Sequence, residues 1–260
     1  MIRIDRKDMN ERIPVNSVKR AFDIVGLLDE RGGASFANLV AHLDAPESTV
    51  HDYLRTLQTM GYVVKTDGEY HVGMAFLRIG NNARERHEIY QVAKPELQKV
   101  ADDTGEHASL TIEENGLGVL LYVTKGENAV RIGETTGEHL PLTVTAPGKA
   151  ILAHMDPDAV ERVLDDHGFQ KRTEASITTR AELFKELETV RDQGYATELG
   201  EAVVGVRAIS VPIRDRDDVH GAVTVGGPSR RMSGDWFRRD LPELLLRTSN
   251  VIEVNFSNAR

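Results

Sequence analysis

The sequence predicts an α+β protein with an N-terminal winged helix-turn-helix domain, a helical linker and a C-terminal domain of mixed helices and strands. Three observations predict this class. The first is the order helix, helix, helix, hairpin within residues 16–73. The second is helical patterning over residues 74–104, followed by strand and helix patterns over residues 105–260. The third is size, because 260 residues with 40% hydrophobic side chains can bury the cores of two ordinary domains.

The composition excludes several kinds of function. Cysteine is absent, which excludes disulfides, zinc–thiolate sites and thiol nucleophiles. The net charge of −9 argues against a uniformly basic nucleic-acid surface and against adhesion to anionic membranes, so any DNA contact must be local. The charged N-terminal extension, residues 1–15, lacks the apolar region of a secretion signal, and no run of about 18 apolar residues could span a bilayer. We expect a cytoplasmic protein with no membrane partner.

The first helix is predicted over residues 16–31. Its apolar residues recur at the spacing of one helical face; they are Val18, Ala21, Phe22, Ile24, Val25 and Leu28. The Gly-Gly pair at 32–33 ends this pattern. Ser35 is suited to cap a second helix over residues 36–43, and Pro46 is suited to the first position of a third.

A β-hairpin is predicted after the third helix. Two β-rich runs meet at Asp67 and Gly68 in the stretch YVVKTDGEYHVG. An Asp-Gly pair tolerates the positive φ angles that a tight hairpin turn requires. Three helices followed by a hairpin is the order of a winged helix-turn-helix. The alternative is an ordinary helical subdomain that happens to precede a hairpin.

The third helix has the pattern of a DNA-reading helix. At about 100° per residue, its apolar stripe consists of Val50, Tyr53, Leu54 and Leu57. The opposite face carries polar side chains of the kind that contact base edges in the major groove, with a merely solvated face as the alternative. Basic residues on the first helix and the wing are predicted to neutralise phosphates. The predicted DNA-binding residues are Lys19, Arg20, Ser48, Thr49, His51, Asp52, Arg55, Thr59 and Lys65.

Asp52 lies at the centre of this polar face, although a carboxylate repels phosphates. Two roles are compatible with the sequence. The carboxylate could accept a hydrogen bond from cytosine N4, or it could hold Arg55, three residues along the helix, in a fixed pose. Of the two, we favour the steering of Arg55.

The linker over residues 74–104 is predicted to be helical with two breaks. One lies in residues 80–87, where Gly80 and two asparagines are poor helix formers, and the other lies near Pro95, which fits best at a helix start. In the C-terminal domain, strands are predicted over residues 108–124, 129–137 and 220–227. Helices are predicted over residues 148–155, 157–168 and 180–194.

We expect no enzymatic activity, no cofactor and no metal site. The histidines do not form an H-E-x-x-H pattern, no G-x-S-x-G motif occurs, and the glycines at 226–227 lack the G-x-G-x-x-G spacing. The stretch TAPGKAILAH is not a P-loop, but it predicts a turn and a helix start whose free amides favour an anion. A winged helix that contacts protein instead of DNA is a further alternative.

The chain resembles the IclR-type transcriptional regulators. The likeness runs from residue 17 to YHVG in the wing and resumes in LPLTVTAPGKAILA, GYATELGEAVVGVRAISVPIRD and GGPSRR. This resemblance implies a GAF-like C-terminal domain that binds a small organic effector. The matching positions are Ile132, Leu140, Ala146, Gly148, Glu198, Val206, Ala208 and Thr224. Three residues depart from the family pattern: Asp52 replaces a residue that is usually basic, Ala208 stands where several relatives have cysteine, and Pro147 removes one backbone amide.

The resemblance also implies a double-stranded DNA operator as a partner. If Glu198 faces the cavity, a polyhydroxylated effector is favoured over a bare dicarboxylate, because a carboxylate accepts hydrogen bonds from hydroxyls and repels like charge. Our preferred expectation is a sugar or sugar acid and control of catabolic genes. One reading helix covers few base pairs, so we expect a homodimer or a dimer of dimers, with residues 74–104 coupling effector binding to DNA binding.

Overall fold

The computed structural model describes residues 13–43, 45–130, 135–216 and 218–259. The described residues form two compact units, which divide between Arg84 and Glu85. None of the helices in these ranges is both long enough and apolar enough to cross a membrane.

The first unit is a winged helix-turn-helix. Its elements are α1 (Asn16–Arg31), β1 (Ala34–Ser35), α2 (Phe36–His42), α3 (Glu47–Thr59), β2 (Val63–Thr66), β3 (Glu69–Val72) and α4 (Ala75–Glu85). The strands form an antiparallel sheet in the order β1-β3-β2. The helices pack around a core that includes Ile24, Leu28, Leu39, Val50 and Leu54. The predicted order of helices and hairpin is confirmed.

Local signals set the boundaries of these elements. Gly32 ends α1 in the left-handed conformation, and the Ser35 hydroxyl accepts a hydrogen bond from the Asn38 amide at the start of α2. Asp67 and Gly68 form the hairpin turn with φ angles of 52° and 87°, as the Asp-Gly pair predicts. Pro46 is the N-cap of α3 and lies one residue before the predicted position.

The linker differs from the prediction in two ways. The first break lies only at Arg86 and His87, because α4 continues through Gly80 and both asparagines. The second predicted break is wrong, since α5 runs from Glu88 to Thr104 with Pro95 inside it. Residues on both sides of the proline are buried in the core of the second unit, and this packing outweighs the roughly 3 kcal/mol that an interior proline costs a helix. Helix α5 is therefore part of the second unit.

The second unit is built on an antiparallel sheet with the strand order β6-β5-β4-β9-β8-β7. Its strands are β4 (His107–Glu114), β5 (Leu117–Lys125), β6 (His139–Pro141), β7 (Ala196–Glu198), β8 (Val206–Asp215) and β9 (Asp218–Pro228). Its further helices are α6 (Ala146–Leu152), α7 (Pro157–His167), α8 (Arg180–Gln193) and α9 (Leu241–Ala259), the last preceded by a π-helical turn over Trp236–Asp240.

The two faces of this sheet are covered differently. Helices α5 and α9 pack on one face against alternate apolar residues such as Leu110, Val211 and Val223. Helix α6 covers the other face, and α7 and α8 share an apolar core with it. The α6 side is the one that carries the buried polar residues described below.

The predicted elements of the second unit agree with the structure except in one segment. The run at 108–124 is split into β4 and β5 by a turn at Asn115 and Gly116, and the other predicted strand and helices correspond to β9, α6, α7 and α8. The strand predicted over 129–137 lies partly outside the described residues. Its described ends, 129–130 and 135–137, are not strand.

Candidate DNA-reading helix and effector site

Helix α3 divides its residues between the core and the surface as a reading helix must. Val50, Leu54 and Leu57 are buried. The opposite side is exposed and carries Ser48, His51, Asp52, Arg55 and Thr59, while Thr49 is half-buried at its edge. The Thr59 hydroxyl donates its hydrogen to the Arg55 carbonyl at 2.8 Å, so towards DNA it can act only as an acceptor.

Within the described part of the chain, the Asp52 carboxylate makes no ion pair with Arg55. Its side chain is 82% exposed, and its Oδ1 lies 3.7 Å from Nδ1 of His51. The free protein therefore does not show the steering of Arg55 that we favoured from the sequence. The carboxylate is open to a partner from outside the chain.

The basic residues predicted to contact phosphates differ in their surroundings. The Lys19 ammonium donates to both oxygens of Asp23, at 2.9 and 2.7 Å, so part of its charge is compensated. Arg20 is exposed on the same helix, and both residues line a cleft that also includes Tyr53 of α3. Lys65 lies on the wing with its ammonium 4.9 Å from the ring centre of Tyr70.

A row of buried hydroxyls crosses the α6 face of the sheet. The strand register aligns Ser210, Thr224 and Ser109 on neighbouring strands, and all three are buried. The Ser210 hydroxyl donates to the Val223 carbonyl at 3.0 Å and lies 2.9 Å from the Thr224 hydroxyl. Thr224 therefore belongs to a polar interior surface.

The adjacent row contains two further predicted residues. Glu198, Ala208, Gly226 and His107 are register partners across β7, β8, β9 and β4. Glu198 is only 5% exposed, and its Oε1 accepts a hydrogen bond from the Ala202 amide at 3.2 Å. The register thus brings Glu198 and Ala208 onto the face that also carries Thr224.

The other predicted effector residues are placed less closely together. Val206 is half-buried at the start of β8 and, by strand alternation, points to the same side as Ala208. Leu140 is buried on β6, at the edge of the sheet opposite to β7. Ile132 lies outside the described residues.

The start of α6 offers fewer free amides than its sequence suggests. The Thr145 hydroxyl caps the Gly148 amide at 3.3 Å, the Lys149 amide donates to the Thr145 carbonyl at 2.9 Å, and Pro147 has no amide hydrogen. Ala146 is fully buried at the first position. A side chain on Gly148 would place its Cβ 2.2 Å from the Leu142 carbonyl oxygen, so this glycine allows close packing of backbone on backbone.

Sequence reasoning missed a buried ionic cluster on α6. Lys149 is only 1% exposed, and its ammonium donates to Glu201 at 2.7 and 2.9 Å and to Glu186 at 3.0 Å. Burial raises the pKa of the Glu201 carboxyl, and the charge of Lys149 opposes that rise. The Glu201 carbonyl also accepts a hydrogen bond from Ser176 at 2.8 Å. The cluster fixes the loop that follows Glu198.

His107 is a second residue that sequence reasoning missed. It is buried in the same row of register partners as Glu198. No local sequence pattern predicts this burial, because a histidine at the start of a strand is often a surface residue. No group of three or more side chains suited to hold a metal ion occurs among the residues that the structure describes.

Comparison with known proteins identifies both units. The model of the IclR helix-turn-helix domain matches residues 17–67, and the model of the bacterial transcriptional regulator IclR C-terminal domain matches residues 81–254. The probable HTH-type transcriptional regulator ArcR of Halobacterium salinarum is 34% identical over 250 residues, which are 94% of this chain and 95% of that protein. The regulator BhcR of Paracoccus denitrificans is 30% identical over 84% of this chain and 80% of its own.

Solved structures agree with this assignment. The crystal structure of the Thermotoga maritima IclR matches with a TM-score of 0.80 and 25% identity, over 93% of this chain and 98% of that one. An IclR homolog from Microbacterium hydrocarbonoxydans, solved in complex with 4-hydroxybenzoate, shares the fold with a TM-score of 0.78 at 22% identity, over 93% of this chain and 98% of its own. The curated relatives are named as regulators or repressors, not as enzymes. The chain belongs to the IclR family of DNA-binding transcriptional regulators.

Proposed function

We propose that this regulator binds a two-fold-symmetric operator and that a small hydroxylated effector, a sugar or sugar acid, changes its affinity for that operator. In this proposal residues 16–73 read DNA, residues 105–260 bind the effector and residues 74–104 couple the two. The controlled genes encode the enzymes that break down the effector as a carbon source. The observation that carries the DNA-binding half is the exposed polar face of α3 over its buried apolar stripe.

The side chains of that face suit base contacts. The Arg55 side chain is exposed and its guanidinium forms no hydrogen bond or ion pair with other described residues, so it is available for the bidentate contact with guanine O6 and N7. Asp52 is equally open to accept a hydrogen bond from cytosine N4. Because the two side chains are not paired with each other, direct base contact by Asp52 now replaces steering as our interpretation.

We expect Arg55→Ala to weaken operator binding by about 10- to 100-fold and to relax discrimination at one base pair, because it removes a base contact.

Lys65→Ala should instead weaken the binding of all DNA sequences alike and reduce the salt dependence by about one counterion. The measurement is selection of genomic fragments by the purified protein, followed by a salt titration with the best fragment.

The matched control for this experiment is Lys171→Ala, which removes a positive charge from an exposed residue of the second unit outside residues 74–104. It should leave operator binding unchanged. Failure to enrich any fragment at low salt, with the fold intact, would contradict the DNA-binding proposal. Binding without salt dependence would favour a protein partner for the winged helix.

The buried polar face supports a hydroxylated effector. Ser210 and Thr224 offer hydroxyls, and Glu198 offers a carboxylate that accepts hydrogen bonds and repels anions. The buried cation of this region, Lys149, is already compensated by two glutamates. Saturating effector should change the operator affinity by about 5- to 150-fold, and an unchanged affinity would rule out coupling.

Two copies of the chain are needed to read two half-sites about one helical turn apart. Helix α1 and the residue before it carry an exposed apolar stripe of Val15, Val18 and Phe22, with Phe22 62% exposed. Such a stripe is unfavourable in water and suits burial against a second copy.

We expect Phe22→Glu to shift the protein towards monomer in sedimentation measurements and to reduce affinity for a full operator to that for a half-site, because it places charge in an apolar contact. Val204→Glu is the matched control, since Val204 is an exposed valine of the second unit. An unchanged sedimentation coefficient for Phe22→Glu would exclude this stripe as the contact between copies.

A further inference from the structure

We propose that His107 binds the effector through its Nδ1 atom and that the ligand must present a hydroxyl there. This inference rests on the proposed effector site and adds a residue and a direction of hydrogen bonding to it. His107 opens β4 and is only 2% exposed. Its neighbour Ala108 faces α5 and α9, so the alternation of the strand turns the imidazole towards the α6 side.

The hydrogen bonds of the ring determine what it can accept. His107 Nε2 lies in hydrogen-bond contact with the Val130 carbonyl oxygen. A carbonyl only accepts, so Nε2 carries the hydrogen and Nδ1 of the neutral ring holds a lone pair. Nδ1 is buried and has no hydrogen-bond partner among the described residues. A buried acceptor without a donor is unfavourable, and a ligand hydroxyl would satisfy it.

The row that contains His107 has small residues at its centre. Its register partners are Gly226 and Ala208, which have the two smallest side chains, and then Glu198 on the far strand. Neighbouring strands lie about 4.8 Å apart, so His107 and Glu198 stand roughly 14 Å apart at their Cα atoms. Between His107 and Glu198 the strands themselves contribute only one methyl group, that of Ala208, to this row.

Both ends of this row accept hydrogen bonds. The His107 end offers a nitrogen lone pair and the Glu198 end offers a carboxylate. In the next row the Ser210 hydroxyl donates to Val223 and the Thr224 hydroxyl donates to Ser210, so both are left as acceptors as well. A matching ligand carries hydroxyl donors at both ends of a short chain. The site therefore suits a polyol or an aldose with a chain of about six carbons, with one hydroxylated end at His107 and the other towards Glu198.

Two substitutions separate the ligand contact from the structural contact of the same ring. In His107→Gln the side-chain amide reaches the position of Nε2, keeps a donor for Val130 and loses the acceptor at Nδ1. In His107→Asn the amide occupies the position of Nδ1, keeps an acceptor there and loses the contact with Val130. A purely structural role predicts the opposite ranking of the two variants for ligand affinity.

The experiment measures the binding of xylitol, sorbitol, D-glucose and D-gluconate by calorimetry, with succinate and 4-hydroxybenzoate as probes without a hydroxylated chain. We expect at least one hydroxylated probe to bind the wild type. His107→Gln should bind it about tenfold more weakly at an unchanged Tm, the usual size of one lost hydrogen bond, and His107→Asn should retain most of the affinity.

Nitrogen NMR of the histidine rings gives an independent readout. The free protein should show the tautomer with hydrogen on Nε2 for His107, and the bound probe should shift Nδ1, which the spectrum of His107→Asn assigns. The inference is overturned if no hydroxylated probe binds, or if His107→Gln binds as tightly as the wild type. If the protein binds hydroxylated probes but no operator DNA, the proposed function is contradicted and the inference about His107 is not.

Discussion

Replacing Lys149 with methionine is expected to lower the free energy of unfolding by about 3–5 kcal/mol, because the change leaves a buried carboxylate without its counter-charge. The Lys149 ammonium is almost fully buried and contacts both oxygens of Glu201 and one of Glu186. Methionine fills a similar volume, so the loss reports the charge more than the packing. Urea unfolding of the two proteins measures the difference.

The loss of unfolding free energy in Lys149→Met should depend on pH in a defined direction. Burial raises the pKa of Glu201 and Lys149 opposes that rise, so removing the ammonium raises the pKa further. A carboxyl with a raised pKa in the folded chain favours folding below its unfolded pKa and loses that contribution as the pH rises through its folded pKa. The Lys149→Met deficit should therefore be smallest in acid and grow towards neutral pH.

Two further variants test the origin of this deficit. Lys149→Met combined with Glu201→Gln removes both charges and should recover part of the loss. Lys185→Met, at an exposed position of α8, should change stability by less than about 0.5 kcal/mol. A deficit that is equal in the single and double variants at all pH values would show that the ion pair does not stabilise the fold.

The second large effect is expected for Gly148→Ala, at about 3 kcal/mol or more of lost stability. The new Cβ would lie 2.2 Å from the Leu142 carbonyl oxygen and 2.4 Å from the Leu142 Cα, and backbone atoms cannot rotate away as a side chain can. Helix α6 would have to move off the turn that precedes it. Thermal unfolding should show a lower Tm, and the hydroxylated probes should bind more weakly.

Gly80→Ala is the matched control for that change. Gly80 lies inside α4, and an added Cβ would meet no atom within 4 Å apart from the neighbouring backbone of its own helix. Alanine should stabilise this helix by up to about 1 kcal/mol, since glycine is the poorer helix former. Equal effects at the two positions would mean that the Gly148 contact is relieved without cost.

The winged helix-turn-helix could be predicted from the sequence because its signals are local. The cap at Ser35, the glycine after α1 and the Asp-Gly turn each act within a few residues. Pro95 shows the limit of such reasoning. Its local preference for a helix start is outweighed by the apolar face that α5 buries against a sheet distant in sequence.

The effector site was less accessible to sequence reasoning. The family resemblance selected Glu198, Ala208 and Thr224, which the strand register now brings onto one face. It did not select Lys149 and Glu201, which lie 52 residues apart and pair only through the folded chain. The same holds for His107, whose open acceptor depends on a contact with Val130, 23 residues away. Hydrogen-bond satisfaction in an interior is a property of three-dimensional packing.

In the proposed effector site, the small residues Ala208 and Gly226 would determine how large a ligand fits between His107 and Glu198. In the proposed site the polar groups at the two ends, His107 and Glu198, lie on β4 and β7. The strands between them, β9 and β8, contribute only a hydrogen atom and a methyl group to this row. A larger side chain at either central position would reduce the space between the two ends without altering the chemistry of the ends. Effector size and effector polarity could thus be tuned independently, which makes this chain a tractable starting point for engineered sensors of short polyhydroxy compounds.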